Sequence, residues 1–421
     1  MMNLSMFGRK ISAVSGIGRL MEDLGFALSQ GRDMLMLGGG NPAHIPEVQK
    51  YLRDSMEKLL GSGAEFERAI GSYDPPGGNK EFIEVISELL RSELGWDIQP
   101  KNIALTNGSQ TAFFILFNIF AGAFEGGTVK KILFPLAPEY IGYCDVGLVD
   151  DLFVANKPRI EHIDDHIFKY HIDFDRLNIT EEIGAVCVSR PTNPTGNVLT
   201  DSEIEKLSEI ARANDVPLII DNAYGSPFPE IVFTQAKAVW NEQTIFCMSL
   251  SKLGLPAVRT GIVIASEEIV SLVSKVNAVM SLAPGSMGAV IVTELVRSGQ
   301  IINLSHNIIR PFYQKKANAA LEQVFRELDG VNFHVHKPEG AFFLWLWFPD
   351  LPITSRELYL RLKERGVLIV PGHYFFPGLT EDWRHKNECI RVNYSQDAET
   401  VTSGIKIIAQ EVKKAYDSSL R

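Results

Sequence analysis

Four stretches of this 421-residue chain place a reactive or anion-binding side chain directly after an apolar, β-rich run. In SLSKLGLPAVRTG (249–261) Lys252 follows the run TIFCM, and Arg259 lies seven residues beyond it. An amine at the end of a strand in an apolar sheet has its charged form disfavoured, which lowers its pKa and frees it as a nucleophile suited to a Schiff base. After PLII comes Asp221-Asn222-Ala223-Tyr224, a carboxylate that is costly to bury without a cation or donors. After GAVCVSR comes Pro191-Thr192-Asn193-Pro194-Thr195-Gly196. There the prolines and the glycine fix a loop in which Asn193 can both donate and accept hydrogen bonds. After NIALTN comes Gly108-Ser109-Gln110 and then a long apolar run, the pattern of a glycine turn opening a helix whose free N–H groups can hold a phosphate.

Singly, each stretch has an ordinary reading: a surface lysine, a helix cap for Asp221 or Ser109, a plain turn at 191–196. Together they supply an amine for an aldehyde, a carboxylate to keep a pyridinium protonated, and donors for a phosphate and a phenolic oxygen. Those are the demands of pyridoxal 5'-phosphate (PLP). No GxGxxG and no GK[ST] occurs, so Rossmann and P-loop nucleotide sites lack their usual support.

The elements that must hold these strand ends are legible from about residue 100 onward. The runs NIALTNG, KILFPLAP, GAVCVSRPTNP, PLIIDNAY, TIFCMSLSK and TGIVIAS alternate with helical patterns at 109–121, 201–214 and 267–280. That alternation is the signature of parallel strands joined by crossover helices, and ligands gather at the carboxyl ends of such strands. Thr200 with Glu203 marks the start of the second helix. Further on, HVHKPEGAFFLWLWF reads as two strands about a turn, ELYLRLKERGVLIV as a helix feeding a strand, CIRVNY as a strand, and 398–416 as a closing helix. The expected fold is α/β: a large domain at 50–300 with a mostly parallel sheet flanked by helices, plus a smaller α+β domain built from 1–49 and 301–421.

Composition narrows the partners. Forty-one basic against fifty-one acidic side chains give a net charge of -10, so neither nucleic acid nor an anionic membrane is an expected partner. The longest apolar stretch, 112–124, is broken by Asn118 and falls short of the roughly 20 residues that span a bilayer; it predicts a buried helix. The N-terminus lacks a continuous hydrophobic region before a cleavage site, which points to a cytoplasmic protein. Cys144, Cys187, Cys247 and Cys389 lie far apart with no CxxC pair, as reduced, buried thiols do. His162 and His166 in EHIDDH lack the HExxH order and read as a solvated loop, so no metal site is expected. His334 and His336 share one face of a strand and are expected to be exposed or interfacial, and the aromatics of AFFLWLWF to be strand core.

The order GSQ, Tyr, NPTG, DxAY, SxSK and an arginine seven residues past the lysine resembles the fold type I PLP-dependent aminotransferases over nearly the whole chain. The resemblance implies that Lys252 joins the cofactor aldehyde and shuttles the substrate proton, and that Asp221 pairs with the pyridinium nitrogen. Tyr224 and Asn193 would hydrogen-bond the phenolic oxygen. Gly108, Ser109, Gln110, Ser249, Ser251 and Arg259 would bind the phosphate, and Tyr140 of LAPEYIGY would stack on the ring. Arg391 of CIRVNY, by itself an ordinary salt-bridge residue on a strand, would grip the substrate carboxylate with its planar fork. Asn193 and Gly40 of GGGNP would also face the substrate. Tyr73 of SYDPPGG would reach the phosphate of a neighbouring subunit and so require a homodimer.

In one place the chain departs from the family pattern: Ala257-Val258 precede Arg259 where relatives often carry a glycine, and alanine tolerates positive φ poorly. A differently shaped loop is therefore expected. The implied reaction moves an amino group between an amino acid and a 2-oxo acid, and no second cation is evident for a dicarboxylic side chain. A PLP lyase or racemase would use Lys252 without needing Arg391. A PLP-binding regulator would need a DNA-binding module for which the stretch before GGGNP leaves no room and the charge is wrong. A plain nucleotide-binding α/β protein is the remaining alternative.

Overall fold

The computed structural model describes residues 3–12, 18 and 34–419. Its framework is an eight-stranded sheet. The strand order is Ile103–Thr106, Gly261–Ile264, Thr244–Ser249, Leu218–Asp221, Ile183–Ser189, Val129–Phe134 and Gly122–Ala123, with Phe153–Ala155 also paired to Val129–Phe134. Ile183–Ser189 and Thr244–Ser249 are buried along their whole lengths, which is why GAVCVS and TIFCMS read as continuous apolar runs rather than alternating ones.

The strands from Thr244–Ser249 across to Val129–Phe134 and Phe153–Ala155 are parallel. The TGIVIAS strand, grouped above with the parallel set, runs antiparallel to both its neighbours. The reason lies in the connection: 250–260 contains only two short 3-10 turns, Leu250–Leu253 and Pro256–Val258. A parallel return needs a crossover of about a dozen residues or more, usually through a helix. The lysine and arginine of SLSKLGLPAVRTG therefore sit on one tight reversal at a strand end.

Helices form close to where the periodicity predicts, at Ser109–Phe120, Asp201–Ala213 and Glu267–Ser281. The apolar run 112–124 leaves the first of these at Phe120 and continues into the short strand Gly122–Ala123. Asp201–Ala213 starts on the anticipated capping box: Thr200 Oγ1 accepts from Glu203 N at 3.2 Å, and Glu203 Oε2 accepts from Thr200 N at 2.8 Å.

A six-stranded sheet stands beside the first, in the order Val370–Pro371, Cys389–Asn393, Phe343–Trp347, His334–His336, Ile167–His171 and Arg159–His162. Two of its strands come from inside 50–300, as a hairpin whose inner strand pairs in parallel with His334–His336. Of the N-terminal segment 1–49, residues 1–2, 13–17 and 19–33 lie outside the described residues. Leu35–Met36 pairs in parallel with Val367–Leu368, which ties the beginning of the following chain to its C-terminal third.

The structure corrects two smaller readings. EHIDDH does not form one solvated loop: Arg159–His162 is a strand and only the following residues turn. His336 is fully buried, accepting from Tyr170 N at 3.2 Å through Nε2, and burial holds its pKa well below the ordinary histidine value. The four cysteines are free thiols, with Cys187, Cys247 and Cys389 buried. Phe343 to Leu346 are core, as AFFLWLWF predicts. Among the described residues no helix is long and apolar enough to cross a membrane.

Candidate active site

The reversal after Thr244–Ser249 builds one wall of the site. Ser249 Oγ accepts from Ser251 N at 3.1 Å, which closes the first turn. Arg259 then folds back so that Nη1 reaches Pro256 O at 3.1 Å and Ser251 Oγ at 3.4 Å. Two residues of this loop have positive φ, Gly254 at 117 and Arg259 at 51, while Ala257 lies in a 3-10 turn and has no positive φ. The expected difficulty at Ala257 thus does not arise.

Arg259 points at the start of the helix Ser109–Phe120. A Cβ built on Gly108, where φ is +82, would meet Arg259 Nη2 at 2.1 Å, so only glycine lets the guanidinium come this close. A Cβ on Gly261 would meet Ser109 N at 2.7 Å, so the helix start is pressed onto the strand. First-turn N–H groups and a guanidinium converge here on one small volume, the donor set of an anion site. The Gln110 side chain is engaged elsewhere, donating from Nε2 to Gly142 O at 2.7 Å, which leaves its backbone N–H for an anion.

Asp221 ends its strand with both oxygens bonded: Oδ1 accepts from Ala223 N at 3.0 Å and Oδ2 from Tyr143 Oη at 2.6 Å. Burial raises its pKa above the ordinary carboxylate value, and the bonds from Tyr143 and Ala223 and the nearby Lys252 pull it back. Lys252 is lowered to about 8, chiefly by burial, with Arg391 adding to the shift and Asp221 opposing it. Its Nζ donates to Gly40 O at 2.8 Å and lies 5.4 Å from the ring centres of both Tyr224 and Phe342. A poised amine, a buried carboxylate and two ring faces thus share one chamber.

Arg391 closes the opposite side. From its strand in the six-stranded sheet, Nη1 donates to Asn193 Oδ1 at 2.7 Å and Nη2 to Gly38 O at 2.6 Å, while the buried Nε has no hydrogen-bond partner among the described residues. Its guanidinium carbon lies 4.2 Å from the ring centre of Phe343 and 5.2 Å from that of Phe375. Burial lowers its pKa to about 10, so it remains a cation at neutral pH. The carbonyls of the GGGNP loop are taken up in turn: Gly38 by Arg391, Gly39 by Asn393 Nδ2 at 2.7 Å, Gly40 by Lys252 and Asn41 by Ser395 Oγ at 2.8 Å.

These groups surround a cavity of about 620 Å³ lined by Gly40, Ser109, Gln110, Tyr140, Asn193, Asp221, Tyr224, Ser249, Ser251, Lys252, Arg259 and Arg391. Gly108 meets it through its contact with Arg259. Tyr73 does not join them: it is 82% exposed, between the helices Glu65–Gly71 and Lys80–Leu94. Residue patterns alone missed Tyr143, Glu139 and Ser189. Ser189 N donates to Glu139 Oε1 at 2.9 Å and Ser189 Oγ lies against Glu139 Oε2; Tyr143 Oη lies 3.5 Å from Ser189 Oγ. The signal was present, since PEYIGY follows the apolar run KILFPL as the other motifs follow theirs.

The donor set fits PLP: an anion cradle that a Cβ at Gly108 would fill, an amine with a lowered pKa, and a buried carboxylate facing it across one chamber. The family model for aminotransferase class I and II matches residues 32–408. The chain belongs to the class I and II aminotransferases. Enzymes of this family work with PLP, and that cofactor is assigned to the chamber around Lys252. As an aminotransferase the chain is 51% identical over 418 residues to the valine–pyruvate aminotransferase of Escherichia coli (strain K12), covering 99% of this chain and 100% of that one. It is also similar to the crystal structure of valine-pyruvate aminotransferase from Salmonella typhimurium LT2, with TM-score 0.88, 50% identity, and 95% and 99% of the two chains covered. A solved Psychrobacter arcticum 273-4 protein matches with TM-score 0.96 at 46% identity over 99% of this chain and 100% of that one.

Proposed function

We propose that this aminotransferase moves the amino group of valine to pyruvate, giving 2-oxoisovalerate and alanine. The observation that carries the reading is the cation count of the cavity lining, where Lys252, Arg259 and Arg391 are the lysines and arginines present. The first has the amine role, the second the phosphate and the third the α-carboxylate, which leaves no further cation among the described lining residues for an acidic substrate side chain. The high identity to the valine–pyruvate enzyme of Escherichia coli supports the same donor and acceptor.

When bound, the cofactor supplies an aldehyde carbon for the amine and a protonated ring that draws electrons from the substrate Cα. Lys252 Nζ, poised by its lowered pKa, takes the Cα proton and later returns it. Asp221, whose oxygens accept from Tyr143 and Ala223, would pair with the ring nitrogen and favour its protonated form. Tyr224 and the Nδ2 of Asn193 would donate to the phenolic oxygen, and Tyr140 would lie against the ring. Arg259, Ser249, Ser251 and the first-turn N–H groups of Ser109 and Gln110 would hold the phosphate. Arg391 fixes the substrate carboxylate while its bonds to Asn193 and Gly38 fix Arg391, so that substrate binding and the closing loop at Gly38–Gly40 are coupled. The enzyme is assigned to the cytoplasm, with 50–300 as its large domain and both termini forming the small one.

Tyr73 is assigned to the phosphate of a second copy. Its exposure suits that role, and Leu60, Ile70, Val279 and Leu282 are also large apolar side chains more than half exposed. A homodimer would cover them. Incubating cofactor-loaded protein with valine and pyruvate tests the reading: 2-oxoisovalerate and alanine should accumulate in equal amounts. Release of ammonia or racemised valine in their place would overturn it.

A further inference from the structure

The GGGNP loop is held by a second element beyond its carbonyls. Pro42 has no N–H to give, and the next amide, Ala43 N, donates to Tyr313 Oη at 2.8 Å. Tyr313 is the fourth residue of the helix Arg310–Glu327, directly after the π-helical turn Ser305–Ile309, and is 1% exposed. Arg310 anchors the start of that helix, its Nη1 donating to Glu230 Oε1 at 3.2 Å.

The ring of Tyr313 has a second neighbour. It stacks on Phe342 with centroids 5.5 Å apart and planes at 25°. Phe342 in turn stands 5.4 Å from Lys252 Nζ and meets Tyr224 edge-on at 5.3 Å. The chain delivers Phe342 there through Ala341, at φ 58, an uncommon conformation for a residue with a Cβ. Two hydrogen bonds hold Ala341 in it, from Tyr394 Oη to Ala341 O and from Ala341 N to Ile231 O, both at 2.9 Å.

We infer that Tyr313 is a positioning residue with two separable effects: its hydroxyl fixes the far end of the substrate-facing loop Gly38–Asn41, and its ring fixes the Phe342 wall beside Lys252. The carbonyls of Gly38, Gly39 and Asn41 are taken by Arg391, Asn393 and Ser395, all within one five-residue stretch of chain, so these bonds hold the loop from one side. The bond from Ala43 to Tyr313 comes from a different element and holds it from another. Asn41, Ala43, Tyr313 and Lys252 line one cavity of about 390 Å³, so the loop end, the tyrosine and the amine share a single space. A loop already fixed loses less freedom when substrate binds, and a fixed wall keeps the amine in line for proton transfer. The inference rests on the reading of this loop as part of the substrate site.

Two variants separate the effects. Tyr313→Phe keeps the ring and loses the acceptor. In the half-reaction of cofactor-loaded protein with L-valine, it should raise the half-saturating valine concentration about tenfold, one buried hydrogen bond's worth, and leave the limiting rate in place. Tyr313→Leu removes the ring as well and should also lower the limiting rate about tenfold. Hydrogen exchange, read by mass spectrometry without valine, should quicken across 38–45 in Tyr313→Phe and stay at the wild-type rate in Cys389–Asn393. A structural tyrosine would lower the urea midpoint on substitution and move none of these. Wild-type half-saturation together with wild-type exchange across 38–45 in Tyr313→Phe overturns the inference, as does a limiting rate that falls equally in both variants. The exchange comparison decides the loop contact by itself, whereas a wild type that valine fails to convert would remove the proposed reaction.

Discussion

Arg391 Nη1 donates to Asn193 Oδ1 at 2.7 Å, and this bond joins a strand of the six-stranded sheet to the loop that follows a strand of the eight-stranded one. The cation proposed to take the substrate carboxylate is thereby oriented by the other half of the site. Arg391→Lys keeps the charge and loses the fork, so it should lower kcat/KM for the amino acid by about 2 kcal/mol, roughly 30-fold, with much of the loss in KM. Steady-state kinetics against amino-acid concentration reads this, and an unchanged KM would remove Arg391 from carboxylate binding.

The lowered pKa of Lys252 gives a pH signature. Capture of the cofactor by cofactor-free protein should speed up with rising pH and level off above about 8. A lysine at its ordinary value of about 10.4 would still be accelerating there. The folded-state pKa lies below the unfolded one, so between those two values the unfolded chain binds more protons. The cofactor-free protein should therefore gain stability as pH rises through that window. Stopped-flow absorbance and denaturant titrations at several pH values check the two halves.

Lys169 and Glu339 form a buried ion pair, and both also bond to Val198, through O at 2.9 Å and N at 3.1 Å. The pair pins the hairpin strand Ile167–His171 and the KPEG turn to the loop that follows Asn193. Lys169→Met leaves the Glu339 carboxylate with the half-exposed Lys337, 3.1 Å away, as its remaining cation. The expected cost is about 3 kcal/mol, with most of it recovered in Lys169→Met/Glu339→Gln. Urea midpoints at constant m-value measure both; equal stability of the single variant and the wild type would contradict the assignment.

If Tyr73 serves the second copy, cofactor affinity should depend on protein concentration and fall as the dimer is diluted apart. Tyr73→Phe should weaken cofactor binding about tenfold without unfolding the chain, the loss of one hydrogen bond to a charged group. Equilibrium dialysis beside sedimentation velocity distinguishes this from a surface tyrosine, whose loss would change neither.

Much of the site was legible because its chemistry sits at strand ends. Lys252, Asp221 and Asn193 each follow an apolar run that announces a strand, and the helix opened by Gly108-Ser109 carries its own turn signal. What escaped depended on non-local pairing. Tyr143 meets Asp221 only because its turn packs against a strand end nearly 80 residues later, and although PEYIGY follows an apolar run, nothing within it fixes that contact. The hairpin 159–171 joins the six-stranded sheet through His334–His336, a partner more than 160 residues later that no local periodicity encodes. The antiparallel strand Gly261–Ile264 was within reach, since the shortness of 250–260 already argued against a parallel return.

The central claim is that a neutral amino acid gives up its amino group at Lys252, and a single half-reaction tests it most directly. Cofactor-loaded protein mixed with L-valine and no 2-oxo acid should convert the absorbance of the aldehyde-loaded enzyme to that of the amine-loaded form, releasing one equivalent of 2-oxoisovalerate per site. Addition of pyruvate should restore the starting spectrum. Conversion by glutamate with none by valine or alanine would contradict the proposed specificity, and no conversion by any amino acid would contradict the transamination itself.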